Sequence, residues 1–343
     1  MRVAHVTSAY PGPVPDSWTF RRLEDQLLGG PRTLTLAQLA ERAGVEEAAV
    51  ALFWRGLGMP VGDPDAVEFT EEDARVVGEL VRAAEASGTS RSGMLSLERS
   101  VGHLTERMAM WQAETLVEDY AERYDLDDAS ARLVLIDRMR AVAPLLEQQM
   151  VHAWRRHMAA LAARFVSEFG EARNVPTDSL PLARAVGFAD IVAFTVRTAT
   201  MTSPELAAFI RDFEERSADV VTSRGGRVVK TIGDAVLFVA DDAVTGARIA
   251  LALAEDFGAG SPTPVRVGFV WGRMLSRFGD VFGASVNVAA RLTGEAAPGT
   301  VLTDPATAEL LSGFALEGMP ERDVAGVGRL APVRVVGVPS AEG

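Results

Sequence analysis

Through most of residues 17–165, apolar side chains recur every three to four positions, which is the spacing of helices that bury one face. Thr70 followed by Asp73 forms a capping-box pattern, which predicts the start of a helix. The segment 94–124 is long and amphipathic, and 131–170 is similar, with at most one break at its proline. The pattern therefore predicts an all-helical N-terminal half.

After Gly170 the pattern changes to short apolar runs bounded by glycine and proline, which is typical of strands. The predicted strands are 184–194, 265–275, 330–338 and a hairpin over 227–240, and the predicted helices are 203–226, 243–257 and 283–296, with a short strand and helix in 300–311. This order indicates a ferredoxin-like βαββαβ domain, with an antiparallel or mixed sheet and helices on one face.

The two patterns predict an α+β chain with an all-α domain over 1–170, a linker over 171–182 and the sheet domain over 183–343. A length of 343 residues and an apolar fraction of 48% suit two globular domains. There is no apolar run of about 18 residues and no secretory signal, so we expect no membrane span and a cytoplasmic location. The absence of cysteine excludes disulfides and thiolate chemistry.

Acidic residues outnumber basic ones, giving a net charge of −13. Residues 1–140 carry 24 acidic residues against 15 arginines, a net charge of −9. Such a charge repels a phosphate backbone, so no nucleic-acid partner is expected. The segment 35–60 nevertheless resembles a helix-turn-helix, and a DNA-binding regulator is the rival interpretation. Its second helix begins Glu46-Glu47 and has one basic residue, Arg55, which favours a packing unit instead.

Two carboxylates stand at predicted strand ends. Asp190 ends a strand in FADIVAFT, and Asp234 lies in the Gly-Asp tip of the predicted hairpin. Carboxylates on neighbouring strand ends suit Mg²⁺ or Mn²⁺, which prefer oxygen ligands together with substrate phosphate. Taken alone, each residue is more often a plain turn or strand-end charge.

Three further residues are candidates for binding. Lys230 is the one lysine among 34 basic residues and lies in an apolar strand, which indicates a site for a compact ammonium unless it falls there by chance. Asn287 and Arg291 are four apart on a predicted helix and share a face, where the guanidinium suits a phosphate oxygen. Such a pair is more often a solvated helix face.

Three segments together resemble the catalytic domain of the class III nucleotidyl cyclases, in that family's order and spacing. They are FADIVAFT (188–195), KTIGDAVLF (230–238) and GDVFGASVNVAARL (279–292). The resemblance covers about residues 184–338. It implies the family's fold and the conversion of a nucleoside triphosphate to a cyclic nucleotide and pyrophosphate.

The resemblance also implies how metal and phosphate are held. Asp190 and Asp234 would bind two Mg²⁺ or Mn²⁺ ions per active site, with the Ile191 carbonyl as a further ligand. The backbone around Phe194 and Thr195 would hold the β- and γ-phosphates.

The resemblance gives the other motif residues roles at the base, ribose and α-phosphate. Lys230 and Asp280 would read the base, and a lysine donor with an aspartate acceptor complements adenine. Guanine presents the reverse polarity, so this pair predicts ATP, with a guanylyl cyclase as the alternative. Asn287 would orient the ribose, and Arg291 would stabilise charge at the α-phosphate.

The chain departs from the family pattern in two places. The segment 273–279 is shorter than the arm of many members. The basic residue that often precedes the last strand has no clear counterpart, so Arg277, Arg322 or Arg329 is left as the triphosphate contact.

In the family, one subunit supplies the metal carboxylates and the other supplies the base-reading residues. A chain with both sets implies a head-to-tail homodimer with two interfacial sites. A catalytically inactive cyclase-like sensor is the other alternative. The presence of all four residues Asp190, Asp234, Asn287 and Arg291 disfavours it.

The helical half and the short arm are similar to a cytosolic cyclase subgroup whose N-terminal domain inhibits catalysis in a pH-dependent way and can bind lipid. The resemblance implies autoinhibition and a fatty acid or lipid ligand. His152 and His157, in the helix before the linker, are candidates for a pH switch, with plain surface or packed histidines as the alternative. A set of methionines and tryptophans is interpreted as core rather than as an acyl-chain pocket: Met108, Met110, Trp111, Met150 and Trp154.

Overall fold

The computed structural model describes residues 17–169, 183–277, 279–324 and 326–337. The chain divides into two compact units, residues 1–173 and 174–343. The predicted linker over 171–182 lies outside the described residues. Within those residues, no helix is long and apolar enough to cross a membrane.

The described part of the N-terminal unit is helical. Its helices are α1 (Ser17–Leu27), α2 (Leu36–Ala43), α3 (Glu47–Gly56), α4 (Glu71–Ser87), α5 (Arg91–Tyr124) and α6 (Asp128–Phe169). The predicted capping box is confirmed, because the Thr70 hydroxyl accepts from the Asp73 amide while the Asp73 carboxylate accepts from the Thr70 amide. One apolar cluster joins α2, α3 and α4, and a second joins α5 to the start of α6.

Pro144 lies inside α6 without ending it. A proline has no N–H, so the carbonyl four residues earlier, that of Arg140, loses its helical donor. The Gln26 side chain of α1 supplies the replacement, with Nε2 donating to the Arg140 carbonyl at 3.3 Å and Oε1 accepting from Arg140 Nε at 3.0 Å. This contact explains how the helix continues through the proline.

The aromatic and methionine residues assigned to the helical core are not all buried. Trp111 is 69% exposed and Trp154 is 61% exposed, with Met110 at 59%. Met150 is exposed as well, at 37%. The prediction that these four side chains form core is therefore wrong, because each lies on a part of α5 or α6 that the other described residues leave open to solvent.

The C-terminal unit is built around a mixed sheet. Its strands are β1 (Ala183–Ile191), β2 (Arg227–Ile232), β3 (Ala235–Ala240), β4 (Val265–Arg273), β5 (Leu275–Arg277), β6 (Asp280–Phe282), β7 (Val301–Thr303), β8 (Ala315–Gly318), β9 (Arg322–Val324), β10 (Gly328–Leu330) and β11 (Val333–Gly337). Its helices are α7 (Phe194–Thr198), α8 (Ser203–Ser223), α9 (Ala243–Asp256), α10 (Ala284–Glu295) and α11 (Pro305–Ala308). The main sheet has the order β2-β3-β1-β4-β7-β11-β8, and among the described strands β4 and β7 are the one parallel pair.

Helices cover both faces of this sheet, so the prediction of helices on one face is wrong. Alternate residues of β3 point in opposite directions: Phe238 packs in the cluster with α8 and α9, whereas Leu237 packs in the cluster with α10. The reason lies in the strands themselves, because β1 and β3 are buried on both sides and need apolar partners on both.

α10 lies unusually close to β4 at Gly268. A Cβ added there would meet the Thr293 amide nitrogen and would lie 2.8 Å from the Ala289 carbonyl oxygen. Both contacts are backbone atoms of α10, which a side chain could not simply displace. Gly268 therefore fixes the distance between this helix and the sheet.

We expect Gly268→Ala to destabilise the C-terminal unit by about 1–3 kcal/mol, because overpacking must push α10 outward. Urea unfolding of the full chain, followed by hydrogen exchange in α10 and β4, measures this effect. Gly294→Ala is the matched control, since a Cβ at Gly294 meets no atom within 4 Å. Equal stability of the two variants would contradict the close packing.

Candidate active site

Asp190 and Asp234 lie side by side at one end of the sheet. Asp190 is the penultimate residue of β1 and pairs with Ala235 at the start of β3. Asp234 occupies the β2–β3 turn, and its carbonyl accepts the Ile191 amide at 3.0 Å. Gly233 has a φ of 62°, a conformation that this tight turn needs and that glycine adopts freely. The two carboxylates predicted to bind metal are thus brought together by β1–β3 pairing.

Arg266 holds the Asp190 carboxylate from the neighbouring strand β4. Its Nε and Nη2 atoms lie 2.7 and 2.6 Å from Asp190 Oδ2, and its Nη1 donates to the Gly294 carbonyl of α10 at 3.0 Å. Arg266 is not among the residues that the sequence motifs single out. A lone arginine within the apolar strand VRVGFV was the available signal, of the same kind that drew attention to Lys230.

The environment of Asp190 favours an added positive charge. Burial raises the pKa of its carboxyl above the ordinary value, and the nearby Asp234 raises it further, while the Arg266 hydrogen bond opposes both effects without cancelling them. A cation placed between the two carboxylates would offset the repulsion from Asp234, which adds to the larger effect of burial on this pKa.

The donors present fit a hard divalent cation. Among the described residues, no three His, Asp or Glu side chains gather as a ready-made metal site. Asp190 and Asp234 therefore supply two carboxylates, and the remaining ligands would be backbone carbonyls and substrate oxygens, the pattern usual for Mg²⁺. Ile191 contributes backbone only, because its side chain is 2% exposed and packs in the core.

The β1–α7 turn follows directly on these residues. Ala193 has a φ of 57°, the left-handed conformation that residues with a side chain rarely adopt. Phe194 begins α7, and its ring packs 6.2 Å from that of Phe209, centroid to centroid. Only the backbone of Phe194 is thus left for a ligand, whereas the side chain of Thr195 is exposed.

Lys230 and Asp280 form an ion pair across the sheet edge, with Lys230 Nζ donating to Asp280 Oδ2. A bulge at Val229 makes this possible. Without the bulge Lys230 would oppose Val236, which faces α8 and α9, but the register shift pairs it with Leu237 on the α10 face. The bulge therefore decides which side of the sheet carries the lysine.

Asp280 is stabilised in its charged form. Burial alone would raise its pKa, but the hydrogen bonds from Lys230 and from the Val281 amide (2.8 Å) outweigh burial, and the pKa is lowered. The stabilisation is accordingly present above the ordinary carboxyl pKa and is lost only as the pH falls through the lower folded-state value. Asp280 is a permanent acceptor at neutral pH.

Lys230 and Asp280 line a pocket of about 350 Å³ together with Asn287. The rest of its wall is mainly apolar and comprises Phe188, Ile232, Leu237, Val281, Phe282, Gly283 and Val286. A few convergent polar groups in an apolar wall are typical of a small-molecule site, and the volume lies in the range of such sites.

Arg291 lies one turn beyond Asn287 on α10 and is exposed. Among the residues that the structure describes, it makes no ion pair or hydrogen bond. Arg322 forms an ion pair with Glu295, with nitrogen and oxygen 3.2 Å apart, and Arg329 forms one with Glu321 at 2.6 Å. Arg291 is therefore the more available charge.

Arg277 and the two histidines are the remaining residues that the sequence singled out. Arg277 pairs in register with Asp280 in the β5–β6 hairpin, which places it beside the pocket. His152 and His157 lie on an exposed stretch of α6 in the N-terminal unit.

Comparison with known proteins relates this chain to the nucleotide cyclases. Residues 183–335 match the adenylate and guanylate cyclase catalytic domain. The chain is 38% identical over 327 residues to an adenylate cyclase of Glutamicibacter nicotianae, covering 92% of this chain and 81% of that protein. It is also 38% identical over 309 residues to an adenylate cyclase of Streptomyces coelicolor, with 88% and 79% covered.

A third relative extends the likeness. The chain is 31% identical over 308 residues to a pH-sensitive adenylate cyclase of Mycobacterium tuberculosis, covering 87% of this chain and 74% of that protein. These matches span the helical unit as well as the sheet unit. On the strength of the long alignments and the cyclase domain match, the chain belongs to the class III adenylate cyclases.

Proposed function

We propose that the protein converts ATP to 3′,5′-cyclic AMP and pyrophosphate at a site formed between two copies of the chain, and that its helical unit regulates the reaction. The observation that carries the choice of ATP is the Lys230–Asp280 ion pair on the wall of the 350 Å³ pocket. An ammonium donor and a carboxylate acceptor match the N1 acceptor and N6 amino donor of adenine. Guanine would face each group with the wrong polarity.

At the other end of the nucleotide, Asp190 and Asp234 would hold two Mg²⁺ or Mn²⁺ ions. Bound there, such ions supply charge neutralisation of the triphosphate and a lower pKa for the attacking hydroxyl. Arg266 contacts Asp190 through Oδ2, and Oδ1 would be the oxygen left to bind a cation. Arg266 thus keeps the carboxylate in one orientation.

The reaction is an intramolecular displacement. The ribose 3′-oxygen gives its proton to solvent water and forms a bond to the α-phosphorus, while the bond from that phosphorus to the bridging oxygen breaks and pyrophosphate leaves. Asn287 orients the ribose from the pocket wall, and Arg291 stabilises the charge that develops at the α-phosphate. No side-chain nucleophile is needed.

The surroundings of the pocket support a head-to-tail homodimer. Apolar side chains of Ile232, Leu275 and Phe282 are each about half exposed near Lys230 and Asp280. A second copy that covers them would bury apolar area and bring its own Asp190 and Asp234 towards this pocket.

The N-terminal unit has a cavity of about 610 Å³ lined by the turn between α2 and α3, by α3 and α4, and by the start of α5. Leu52, Phe53, Val77, Val81 and Leu95 are among its lining residues. This largely apolar cavity supports a lipid or fatty acid as one regulatory ligand. The exposed His152 and His157 support pH as another signal, because histidine is the side chain that ordinarily changes charge near neutral pH.

The test is cyclic-nucleotide formation from ATP and from GTP with Mn²⁺. We expect cyclic AMP from ATP and at least about tenfold less product from GTP, because one mispaired polar group alone costs that much. No product from either nucleotide, in protein shown to be folded and dimeric, would refute the proposal and favour an inactive sensor.

Regulation is tested by comparing the full chain with residues 172–343 at several pH values. We expect the truncated protein to be more active and to lose the pH dependence of the full chain, because the helical unit no longer restrains it. The His152→Ala/His157→Ala variant of the full chain separates a histidine switch from other pH effects. Identical rates and pH profiles for all three proteins would contradict regulation by the helical unit.

A further inference from the structure

The turn between β1 and α7 is held in a strained conformation. Ala193 has φ 57° and ψ 37°, the left-handed region, and carries a side chain that disfavours it. Ala193 lies two residues after Ile191, whose amide donates to the Asp234 carbonyl, and immediately before Phe194. Such a conformation persists only where surrounding contacts enforce it.

Arg197 supplies two of those contacts. Its Nε donates to the Val192 carbonyl at 3.0 Å, and its Nη1 donates to the Pro262 carbonyl at 2.8 Å. The first acceptor belongs to the strained turn and the second to the loop between α9 and β4. The guanidinium therefore ties two separate loops together beside Asp190.

The backbone makes the same connection from the other direction. The Val192 amide donates to the Pro264 carbonyl at 2.8 Å, and the Arg197 amide donates to the Ala193 carbonyl at 3.0 Å. Val192 is thus bound on both its amide and its carbonyl. With Arg197 removed, its carbonyl loses that donor and Ala193 loses a restraint.

We propose that Arg197 is a positioning residue that clamps the β1–α7 turn and so keeps Ala193 in the conformation in which the turn can hold the metal-bound triphosphate. The proposal rests on the function proposed above. Arg197 itself is directed to two carbonyls, so it acts through the turn rather than by binding phosphate. Its planar fork is suited to two acceptors at once, which a lysine ammonium matches poorly.

The experiment compares Arg197→Ala, Arg197→Lys, Ala193→Gly and the double variant Arg197→Ala/Ala193→Gly in the full chain. We expect Arg197→Ala to raise the KM for ATP about tenfold, as the loss of two hydrogen bonds predicts, with a smaller change in kcat. Arg197→Lys is expected to behave similarly. The double variant should recover most of the loss, because glycine adopts the left-handed conformation without the clamp.

A second set of measurements does not depend on turnover. Hydrogen exchange of the amides of residues 192–196 should be faster in Arg197→Ala than in wild type, and Mn²⁺ binding without nucleotide should weaken. If the wild-type protein makes no cyclic nucleotide, the proposed function fails. Hydrogen exchange and Mn²⁺ binding would still show whether Arg197 holds the turn.

Two results would overturn the clamp. Unchanged exchange in Arg197→Ala means that the turn does not depend on the guanidinium. A raised KM that Ala193→Gly fails to rescue means that Arg197 acts on the substrate directly. If Arg197→Ala does not fold, Arg197→Lys with and without Ala193→Gly decides the question by the same readouts.

Discussion

Asp234→Ala should abolish cyclic AMP formation and leave the dimer intact. We expect kcat/KM to fall at least about 1,000-fold, since the site would lose one of its two carboxylates and with it several kcal/mol of charge stabilisation in the transition state. The fold should survive, because Asp234 contributes its carbonyl, not its side chain, to the bond with the Ile191 amide. Cyclic AMP assays and gel filtration measure the two effects.

Asp323→Ala is the matched control for this change. Asp323 is an exposed carboxylate in the β9–β10 hairpin of the same unit, so its removal changes the net charge equally at a residue that has no assigned role in metal binding. Full activity of Asp234→Ala would show that the metal assignment is wrong. Loss of activity together with loss of the dimer would point to a structural role instead.

Exchanging the base-reading pair, Lys230→Glu with Asp280→Lys, should invert the nucleotide preference. The double variant keeps an ion pair at the pocket wall but reverses its polarity, so adenine would meet two mismatched groups. At about 1–3 kcal/mol for each, we expect kcat/KM for ATP to fall by about 100-fold or more, while GTP gains relative to ATP.

The Asn287→Ala variant provides the comparison for this exchange. Asn287 lines the same pocket but is assigned to the ribose, which both nucleotides share, so its loss should lower ATP and GTP turnover in equal proportion. Rates with both nucleotides give the ratio directly. A charge-exchanged protein that still prefers ATP would show that Lys230 and Asp280 do not read the base.

Local patterns predicted most of the regular elements. The capping box at Thr70 marks the start of α4, and the Gly-Asp tip of the β2–β3 hairpin lies where the sequence indicates it. These features depend on residues a few positions apart, so a single segment contains the whole signal. Each cyclase motif is likewise one contiguous segment, so the candidate site residues within it could be recognised from the sequence alone.

Features that depend on distant pairing could not be predicted in this way. The Arg266–Asp190 contact joins residues 76 positions apart, and it exists only because β4 lies beside β1. The bulge at Val229 and the short β5–β6 and β9–β10 hairpins leave little periodicity to detect. The element order predicted helices on one face only, whereas β1 and β3 are buried on both sides and are covered on both.

The position of β1 between β3 and β4 also bears on the order in which the molecule folds. Helical hairpins such as α5–α6 join neighbours along the chain and form rapidly, whereas the central strand needs partners that are synthesised later. We therefore expect the helical unit to be structured on the ribosome before Asp190 meets Arg266. Catalytic competence would then be the last property that a newly made chain acquires.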